Sequence, residues 1–450
     1  MVKLLGILGF LAFAGTALAL NFATPAIALA NCDGAHATVL HASAMKGNDA
    51  RAVWLNASQI RWPKPQPAQA ESTEFKLYFS SLGKLQITPG KRVRGSDAAI
   101  ILQAKYAPLD SEFASRFGYL DAVGLTLTVA AADQKQLKQW QRGQLIVVQE
   151  TAANGRAVDA TALQIAGFLD DVYANAETIE DLGAVVPSVP DGKTATRFKL
   201  WAPTAKVVAL CVYDGPEKRA GRVEALALNM LTGAWGGQLK GNLSGKYYRY
   251  LVDVYGPGVG LVRNLVTDPY SVSLSSDSKR SYIANLDASD LAPKGWNDNM
   301  RAPVLAHAVD MSIYELHVRD FSANDASVSA SNRGKYLAFT EAKSNGMRHL
   351  TALAQAGMTD VHLLPVFDFA TVPETGCVSP KIPNAGADSE LQQDLALKNQ
   401  TQDCFNWGYD PAHFGAPEGS YASDAQNAAT RIIEFRAMVD ALHQIGRAHV

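Results

Sequence analysis

The sequence lacks a charge excess of either sign, and it lacks the cysteine patterns that bind metals. Its 41 basic side chains nearly balance 43 acidic ones, so the formal net charge is −2. Without a basic excess there is no electrostatic footprint for nucleic acid, and no nucleic-acid partner is expected. The four cysteines include no CxxC spacing and form no cluster with histidine, so no zinc site is predicted. With 450 residues, of which 48% are hydrophobic, the chain is long enough for several globular domains.

The sequence also lacks an apolar run long enough to favour a membrane span, but it begins with a shorter one. Lys3 precedes an uncharged apolar stretch over residues 4–20, and small-residue sites follow it. This layout is typical of a secretory signal peptide. We therefore predict a signal peptide over residues 1–30, cleaved before Asn31, and a secreted or cell-surface protein. A lipoprotein acylated at Cys32 is the alternative, and only in that case is a membrane a partner.

The other cysteines fit an exported protein. Cys377 and Cys404 flank a polar stretch and are candidates for a disulfide in an oxidising compartment. Cys211 lies in an apolar, strand-like run, and we predict that it is a buried thiol.

Two β-rich regions follow the N-terminal segment. Residues 31–50 show no strong periodicity and are predicted to be a flexible lead. Residues 51–175 contain short strand-like runs separated by turn residues, which predicts a small β domain. Residues 186–290 alternate polar and apolar side chains in strands of similar spacing, which predicts an all-β sandwich. The aromatics of this sandwich form either a glycan-binding platform or, as is more common, one face of its core.

The pattern changes over residues 305–450. We predict a strand at 309–321, an amphipathic helix at 347–356 and a second, apolar strand at 360–366. A strand, a helix and a strand joined by a crossover of this length form a βαβ unit with parallel strands. A further helix is predicted at 428–445. Because two parallel strands cannot close a barrel, the sequence is predicted to end inside a domain.

One stretch combines residue types that neither a helix nor a strand requires. Residues 405–414 contain four aromatics together with a glycine, a proline, a carboxylate, an amide and an imidazole. This mixture predicts a rigid loop over residues 405–421 that presents flat rings beside hydrogen-bonding groups, as a sugar ring requires. The alternative, in which the aromatics merely cap a core, is supported about equally by composition.

Several motifs together resemble the pullulanases, debranching enzymes of the α-amylase superfamily (glycoside hydrolase family 13). In the last domain they are residues 314–322, 332–339, 362–368 and 406–411. Further motifs resemble the N2 domain of pullulanases, at 51–62 and 162–173, and their starch-binding sandwich of the carbohydrate-binding module 48 type, at 198–205 and 264–270. In the signature that ends at residue 411, Phe405 stands where the family has a tyrosine.

The resemblance implies two β-sandwich-like domains followed by an incomplete (β/α)8 TIM barrel. It implies hydrolysis of α-1,6-glucosidic bonds in pullulan, starch and glycogen with retention, through an aspartate nucleophile and a glutamate acid/base. In the family these carboxylates follow later barrel strands, so they lie beyond Val450, no catalytic residue is present, and the chain alone is expected to be inactive. Asp320, Asp368 and Asp410 do not occupy the catalytic positions.

The resemblance also assigns the aromatic stretch. Tyr409 matches the tyrosine that stacks on the sugar ring beside the scissile bond, and Asn406, Trp407 and Asp410 match its supports or secondary sugar contacts. Calcium is a candidate ligand of the complete enzyme only, because the family's usual ligands lie largely downstream.

The leading hypothesis is therefore a secreted pullulanase-type debranching enzyme, with α-glucan as its partner. One alternative is a non-catalytic α-glucan-binding protein, since the two β domains are the complete parts. A third is another debranching or branching relative. His317 and His362 lie in predicted strands, and we expect both to be core residues with their hydrogen bonds satisfied.

Overall fold

The computed structural model describes residues 26–45, 49–65, 73–187, 195–296 and 305–445. Most of the predicted signal peptide lies outside the described residues, and its cleavage stays a prediction. The predicted cleavage point before Asn31 falls within a 3-10 helix, Leu29–Asp33. Within the described ranges, no helix combines the length and the apolar character needed to cross a membrane.

The first unit is a largely antiparallel sheet of eight strands within the described residues. Apolar side chains alternate along its longer strands, so one face buries a cluster that includes Trp54, Trp62, Phe79 and Leu127. In pairing order the strands are Ala157–Thr161, Gln144–Thr151, Thr73–Ser80, Ala98–Pro108, Val123–Val129, Gln59–Trp62, Ala52–Trp54 and Leu163–Gln164. The helices of this unit are Ser111–Arg116, Ala131–Trp140 and Ala166–Val172, followed by the 3-10 helix Ala174–Thr178.

The second unit is the predicted sandwich of two antiparallel sheets. Its core between the sheets includes Phe198, Leu210, Trp235 and Tyr250, so most of the alternating aromatics are core residues. One sheet pairs Ala37–Ala42, Gly260–Val266, Tyr247–Gly256, Ala205–Tyr213 and Ala220–Ala225 in that order, with Ser281–Tyr282 beside Tyr247–Gly256. The other pairs Gly183–Val185, Ala195–Trp201, Ala234–Lys240 and Ala227–Leu228. The 3-10 helices Ser276–Ser278 and Ser289–Leu291 follow.

Two predictions were wrong, one about the N-terminal lead and one about Cys211. The segment predicted to be flexible contains the strand Ala37–Ala42, which pairs with Gly260–Val266 at the edge of the sandwich. Cys211 is not a free thiol, because it forms a disulfide with Cys32 at a Cα–Cα distance of 5.7 Å. A Cys32 in this bond has no thiol left to acylate, so the lipoprotein alternative and this pairing exclude one another.

The third unit begins with the predicted βαβ arrangement. Ile313–Leu316 and Asp360–Leu363 pair in parallel, and the helix Asn345–Gln355 connects them. The Ser344 side chain accepts a hydrogen bond from the Met347 amide and so caps this helix. Among the described residues the parallel sheet contains these two strands, so the predicted incomplete barrel is not confirmed beyond its first βαβ unit.

The first parallel strand is shorter than predicted. It ends at Leu316, and the helix Val318–Ser322 follows immediately. His317 causes this early end, because its side chain accepts a hydrogen bond from the Asp320 amide and caps the new helix. The 3-10 helices Ala308–Asp310 and Tyr336–Thr340 flank this region.

The chain after the second parallel strand forms a hairpin and two helices. Phe367–Phe369 pairs antiparallel with Pro411–Pro417, so the region predicted as a loop over 405–421 contains a strand. We call these two strands the site hairpin. The helix Leu391–Asn399 lies between them in sequence, and the long helix Ala428–Gln444 follows. Of the face predicted for this helix from its periodicity, Ile432 and Leu442 are buried, and Phe435 and Val439 are partly buried against the core.

Candidate functional site: an exposed aromatic loop above a buried charge cluster

The aromatic loop (residues 405–410) presents its large rings to solvent. Trp407 is 62% exposed and Tyr409 is 72% exposed, and Phe414 on the adjoining strand is 75% exposed. The alternative in which these aromatics cap a core is therefore wrong for these three residues. Large apolar rings held in water beside polar groups are typical of a ligand-binding surface.

Short polar contacts brace the loop. The Asn406 Oδ1 accepts from the Gly408 amide at 2.7 Å, and the Asn406 Nδ2 donates to Thr371 Oγ1 at 2.5 Å. Thr371 Oγ1 in turn donates to Asp410 Oδ2 at 2.5 Å. Gly408 has a φ of +87°, and a Cβ there would lie 2.8 Å from the Pro365 Cβ. Asn406 and Asp410 thus brace the loop through Thr371, a residue that sequence reasoning missed.

The predicted disulfide fixes the start of the loop. Cys377 and Cys404 are bonded, with their Cα atoms 5.0 Å apart, so this prediction is confirmed. Cys404 directly precedes Phe405, whose amide donates to Asp403 Oδ1 at 2.9 Å. The cross-link therefore anchors the backbone at the position where the aromatic loop begins.

The two histidines of the parallel strands differ. His317 is 8% exposed and contacts the aromatic loop. Its Nε2 lies 2.8 Å from the Asn406 carbonyl oxygen, and its ring centroid lies 5.5 Å from the ring centroid of Phe405. His362, also predicted to be a core residue, is instead exposed, and it lies 3.4 Å from the Glu315 carboxylate. The prediction was wrong for His362, because only the start of its strand is covered: Asp360 and Val361 are buried, whereas His362 is exposed.

Beneath the site hairpin lies a buried charge cluster, which we define as Asp368, Glu374, His413, Glu418 and Arg431. The Arg431 guanidinium contacts Asp368 Oδ1 at 3.2 Å and also binds Glu374. His413 Nδ1 lies 2.7 Å from Asp368 Oδ2. Glu418 accepts from the amides of Phe369 and Ser420 at 3.0 and 2.7 Å. Asp320 has a partner of its own outside this cluster, since Arg319 Nη1 lies 2.8 Å from Asp320 Oδ1.

Burial raises the pKa of two carboxyl groups in this cluster, whereas its effect is overcome at the third. It raises the pKa of Glu374 to about 8 and the pKa of Glu418 to about 7, because a carboxylate is poorly solvated there. Burial also acts on Asp368, but the hydrogen bonds from His413 and Ser278 and the charge of Arg431 outweigh it and lower the pKa of Asp368. The cluster therefore combines one carboxyl group whose pKa is lowered, Asp368, with two whose pKa is raised.

The buried charge cluster contains carboxylates that could form a cation-binding site. Oxygens of Asp368, Glu374 and Glu418 lie within 4.8 Å of one another, the one such group among the described residues. Arg431 already brings a positive charge to Asp368 and Glu374. The donor set thus suits a cation by type, but the guanidinium supplies the charge that a cation would bring.

The sandwich holds the site hairpin through this cluster. Ser278 Oγ donates to Asp368 at 2.6 Å, and Thr267 Oγ1 lies 2.8 Å from His413 Nε2. The Asp277 amide donates to Glu374 Oε2 at 2.6 Å, and the Glu374 amide donates back to Asp277 at 3.1 Å. These contacts join residues far apart in sequence, so no local pattern could have predicted them.

Comparison with known proteins agrees with this arrangement. Residues 49–171 match the Pullulanase N2 domain, and residues 181–271 match carbohydrate-binding module 48 (Isoamylase N-terminal domain). Pullulanase 1, chloroplastic, of Arabidopsis thaliana is 36% identical over 405 residues, covering 88% of this chain and 40% of the relative. The pullulanase of Klebsiella pneumoniae is 33% identical over 437 residues, covering 88% and 38%.

Comparison with solved structures also shows similarity to pullulanases. The apo pullulanase from Klebsiella pneumoniae superposes with a TM-score of 0.76 at 29% identity, covering 91% of this chain and 48% of that one. Klebsiella pneumoniae pullulanase complexed with maltotriose superposes with a TM-score of 0.75 at 30% identity, covering 90% and 41%.

The N2 domain and the carbohydrate-binding module define a multidomain chain of the type found in starch-debranching relatives. The chain contains these two domains, and 88% of it is similar to pullulanases, as its motifs predicted. It spans about two fifths of the length of these two curated relatives.

Proposed function

We propose that this protein takes part in the debranching of α-glucans, by hydrolysis of α-1,6-glucosidic bonds in pullulan, starch and glycogen. We propose further that the residues described here bind the glucan and do not perform the chemical step. The observation that carries this proposal is the pair of exposed rings, Trp407 and Tyr409, on a braced loop in a chain similar to pullulanases. The maltotriose complex of a pullulanase relative supports the choice of ligand.

The braced loop suits a sugar ring for two physical reasons. The rings of Trp407 and Tyr409 offer apolar faces for the C–H groups of a sugar, and Asn406 and Asp410 place polar atoms beside them. Because the loop is already ordered by Thr371 and by the disulfide, binding does not require the entropy loss of ordering it. We therefore assign Tyr409 to the sugar ring beside the scissile bond, with Trp407 as a second contact.

The carboxylates near the loop do not suit hydrolysis. A retaining glycosidase uses two carboxyl groups about 5 Å apart, one as nucleophile and one as acid/base. Asp368, Glu374 and Glu418 are that close to one another, but they are buried and bound by Arg431, Ser278 and backbone amides. We therefore propose that the reacting carboxylates of the retaining mechanism are not among them and that the 450-residue chain alone does not hydrolyse pullulan.

The disulfides support export. Two cross-links, Cys32–Cys211 and Cys377–Cys404, account for all four cysteines of the chain. Disulfides persist in oxidising compartments and are rare in the cytosol. Together with the N-terminal pattern, they lead us to propose a secreted or cell-surface protein.

The test is electrophoresis of the purified 450-residue chain in native gels with and without pullulan, alongside a reducing-sugar assay. We expect retardation by pullulan and no release of reducing ends. The double variant Trp407→Ala/Tyr409→Ala should migrate more freely than the wild type. Tyr119→Ala is the matched control, because Tyr119 is 69% exposed on the first unit, away from the loop. Equal retardation of wild type and double variant would contradict the assigned site, and release of reducing ends would contradict the assigned lack of hydrolysis.

A further inference from the structure

His317 lies between the end of the first parallel strand and the aromatic loop. It follows Leu316, the last residue of the strand, and precedes the helix Val318–Ser322. Only 8% of the residue is exposed, so its ring is placed by its partners and not by solvent. It is therefore a link between a rigid strand and the loop.

The hydrogen bonds of His317 define its tautomer. Its Nδ1 accepts from the Asp320 amide at 3.2 Å, so Nδ1 carries no proton. In the neutral ring the proton is then on Nε2, which lies 2.8 Å from the Asn406 carbonyl oxygen and 3.1 Å from the Tyr421 hydroxyl. His317 therefore donates to the backbone of the aromatic loop.

The receiving carbonyl belongs to the residue that braces the loop. The Asn406 side chain holds Gly408 and Thr371, while its carbonyl accepts from His317. The peptide that this carbonyl begins leads directly into Trp407. Two separate anchors, one through the side chain and one through the backbone, therefore set the direction of the exposed rings.

We propose that His317 is a positioning residue for α-glucan binding: through Nε2–H it fixes the Asn406 peptide and so orients Trp407 and Tyr409. This inference rests on the proposed function of the aromatic loop. His317 does not touch the sugar. Its effect is transmitted by the loop backbone, as an outer partner orients a contacting residue.

Three substitutions separate the two ring nitrogens. His317→Phe keeps an aromatic ring beside Phe405 and removes the hydrogen bonds of both ring nitrogens. His317→Gln places an amide near the position of Nε2, and His317→Asn places one near the position of Nδ1. His362→Phe is the matched control, because His362 lies on the neighbouring strand and is exposed.

The measurement is the dissociation constant for maltotriose by calorimetry, with the thermal midpoint of each variant measured in parallel. We expect affinity to fall about five- to tenfold in His317→Phe and His317→Asn, as loss of one buried hydrogen bond predicts, and to recover in His317→Gln. His362→Phe should bind as the wild type does. If affinity follows the thermal midpoint across the variants and not the nitrogen that is replaced, His317 has a structural role only and the proposal is wrong.

Tyr409→Ala separates failure of this inference from failure of the proposed function. If Tyr409→Ala weakens maltotriose binding and His317→Phe does not, the positioning role alone is refuted. If Tyr409→Ala binds maltotriose as tightly as the wild type, the aromatic loop is not the glucan site and both proposals fail. In the Tyr409→Ala background, His317→Phe should have little further effect, because the ring that it orients is absent.

Discussion

Replacing Arg431 by methionine should destabilise the third unit strongly. Arg431 has no exposed side-chain surface, and its guanidinium contacts Asp368, Glu374 and the carbonyl oxygens of Ala425 and Pro417. Methionine preserves much of the volume and removes the charge. Asp368 and Glu374 would then be buried without their cation, and relief by protonation is incomplete for Asp368, whose pKa is low in the native protein.

The size of the effect follows from the burial of both partners. Removing one member of a buried ion pair typically costs about 3–5 kcal/mol, because the other charge stays in a poorly solvating environment. For a domain of ordinary size this corresponds to a fall in the thermal midpoint of roughly 6–20 °C. The deficit should shrink at acid pH, where protonation neutralises the stranded carboxylates.

The assay is thermal unfolding of Arg431→Met and of a control, Arg436→Met, at pH 8 and pH 5. Arg436 lies on the same long helix, is partly exposed and donates to the carbonyls of Leu286 and Leu291. We expect the control to lose about 1 kcal/mol or less, as for ordinary hydrogen bonds. A midpoint for Arg431→Met equal to that of Arg436→Met, or a deficit that does not depend on pH, would refute the account of the cluster.

Three further predictions concern other parts of the fold. Burial raises the pKa of Glu374 from 4.5 to about 8, so the folded state binds more protons than the unfolded state between these pH values. The stability of the fold should therefore decrease from pH 5 to pH 8. Thermal midpoints that rise over this range would contradict this prediction. Replacing Cys377 and Cys404 by serine should destabilise the segment between them by about 3 kcal/mol or less and expose it to limited proteolysis, whereas an unchanged cleavage rate would show that the cross-link does not anchor the loop. Gly167→Ala should lower the stability of the first unit by about 1–3 kcal/mol in denaturant unfolding, since its Cβ would lie 2.3 Å from a backbone oxygen, while Gly118→Ala, with a nearest contact of 3.5 Å, should have little effect.

Local periodicity predicted the elements that bury one continuous face. The long helix Ala428–Gln444 was predicted from residues such as Ile432 and Leu442, which the structure buries. The parallel pairing of Ile313–Leu316 with Asp360–Leu363 was predicted from the length of the crossover between them. In both cases the deciding information lies within a few tens of residues of sequence.

The wrong predictions involve partners that are distant in sequence. Ala37–Ala42 is an edge strand with mostly exposed side chains, so it has no alternation to detect, and its pairing with Gly260–Val266 depends on the folded sandwich. Cys211 has the environment of a buried residue whether or not it is bonded, and only the fold brings Cys32 to it. The end of the first strand depends on one side-chain hydrogen bond of His317, which no apolar pattern records.

The sequence predicted an aromatic loop that faces a ligand, but it did not predict the residues that hold this loop and the site hairpin in place. Trp407 and Tyr409 were predicted to face a ligand, and the structure exposes both, although their contact with sugar stays a prediction. Thr371 and the buried charge cluster were missed, because their residues lie on separate elements and converge only after folding. Arg431 gave one signal in the sequence, a cation beside the apolar face of a predicted helix.

The most direct test of the account is calorimetric titration of the purified chain with maltotriose, comparing wild type, Tyr409→Ala and Tyr106→Ala. Tyr106 is 68% exposed on the first unit and controls for loss of an exposed ring. We predict that Tyr409→Ala weakens binding about tenfold or more, as truncation of an aromatic contact at the centre of a site does, and that Tyr106→Ala leaves it unchanged. Equal affinity of wild type and Tyr409→Ala would contradict the claim that the aromatic loop is the α-glucan site.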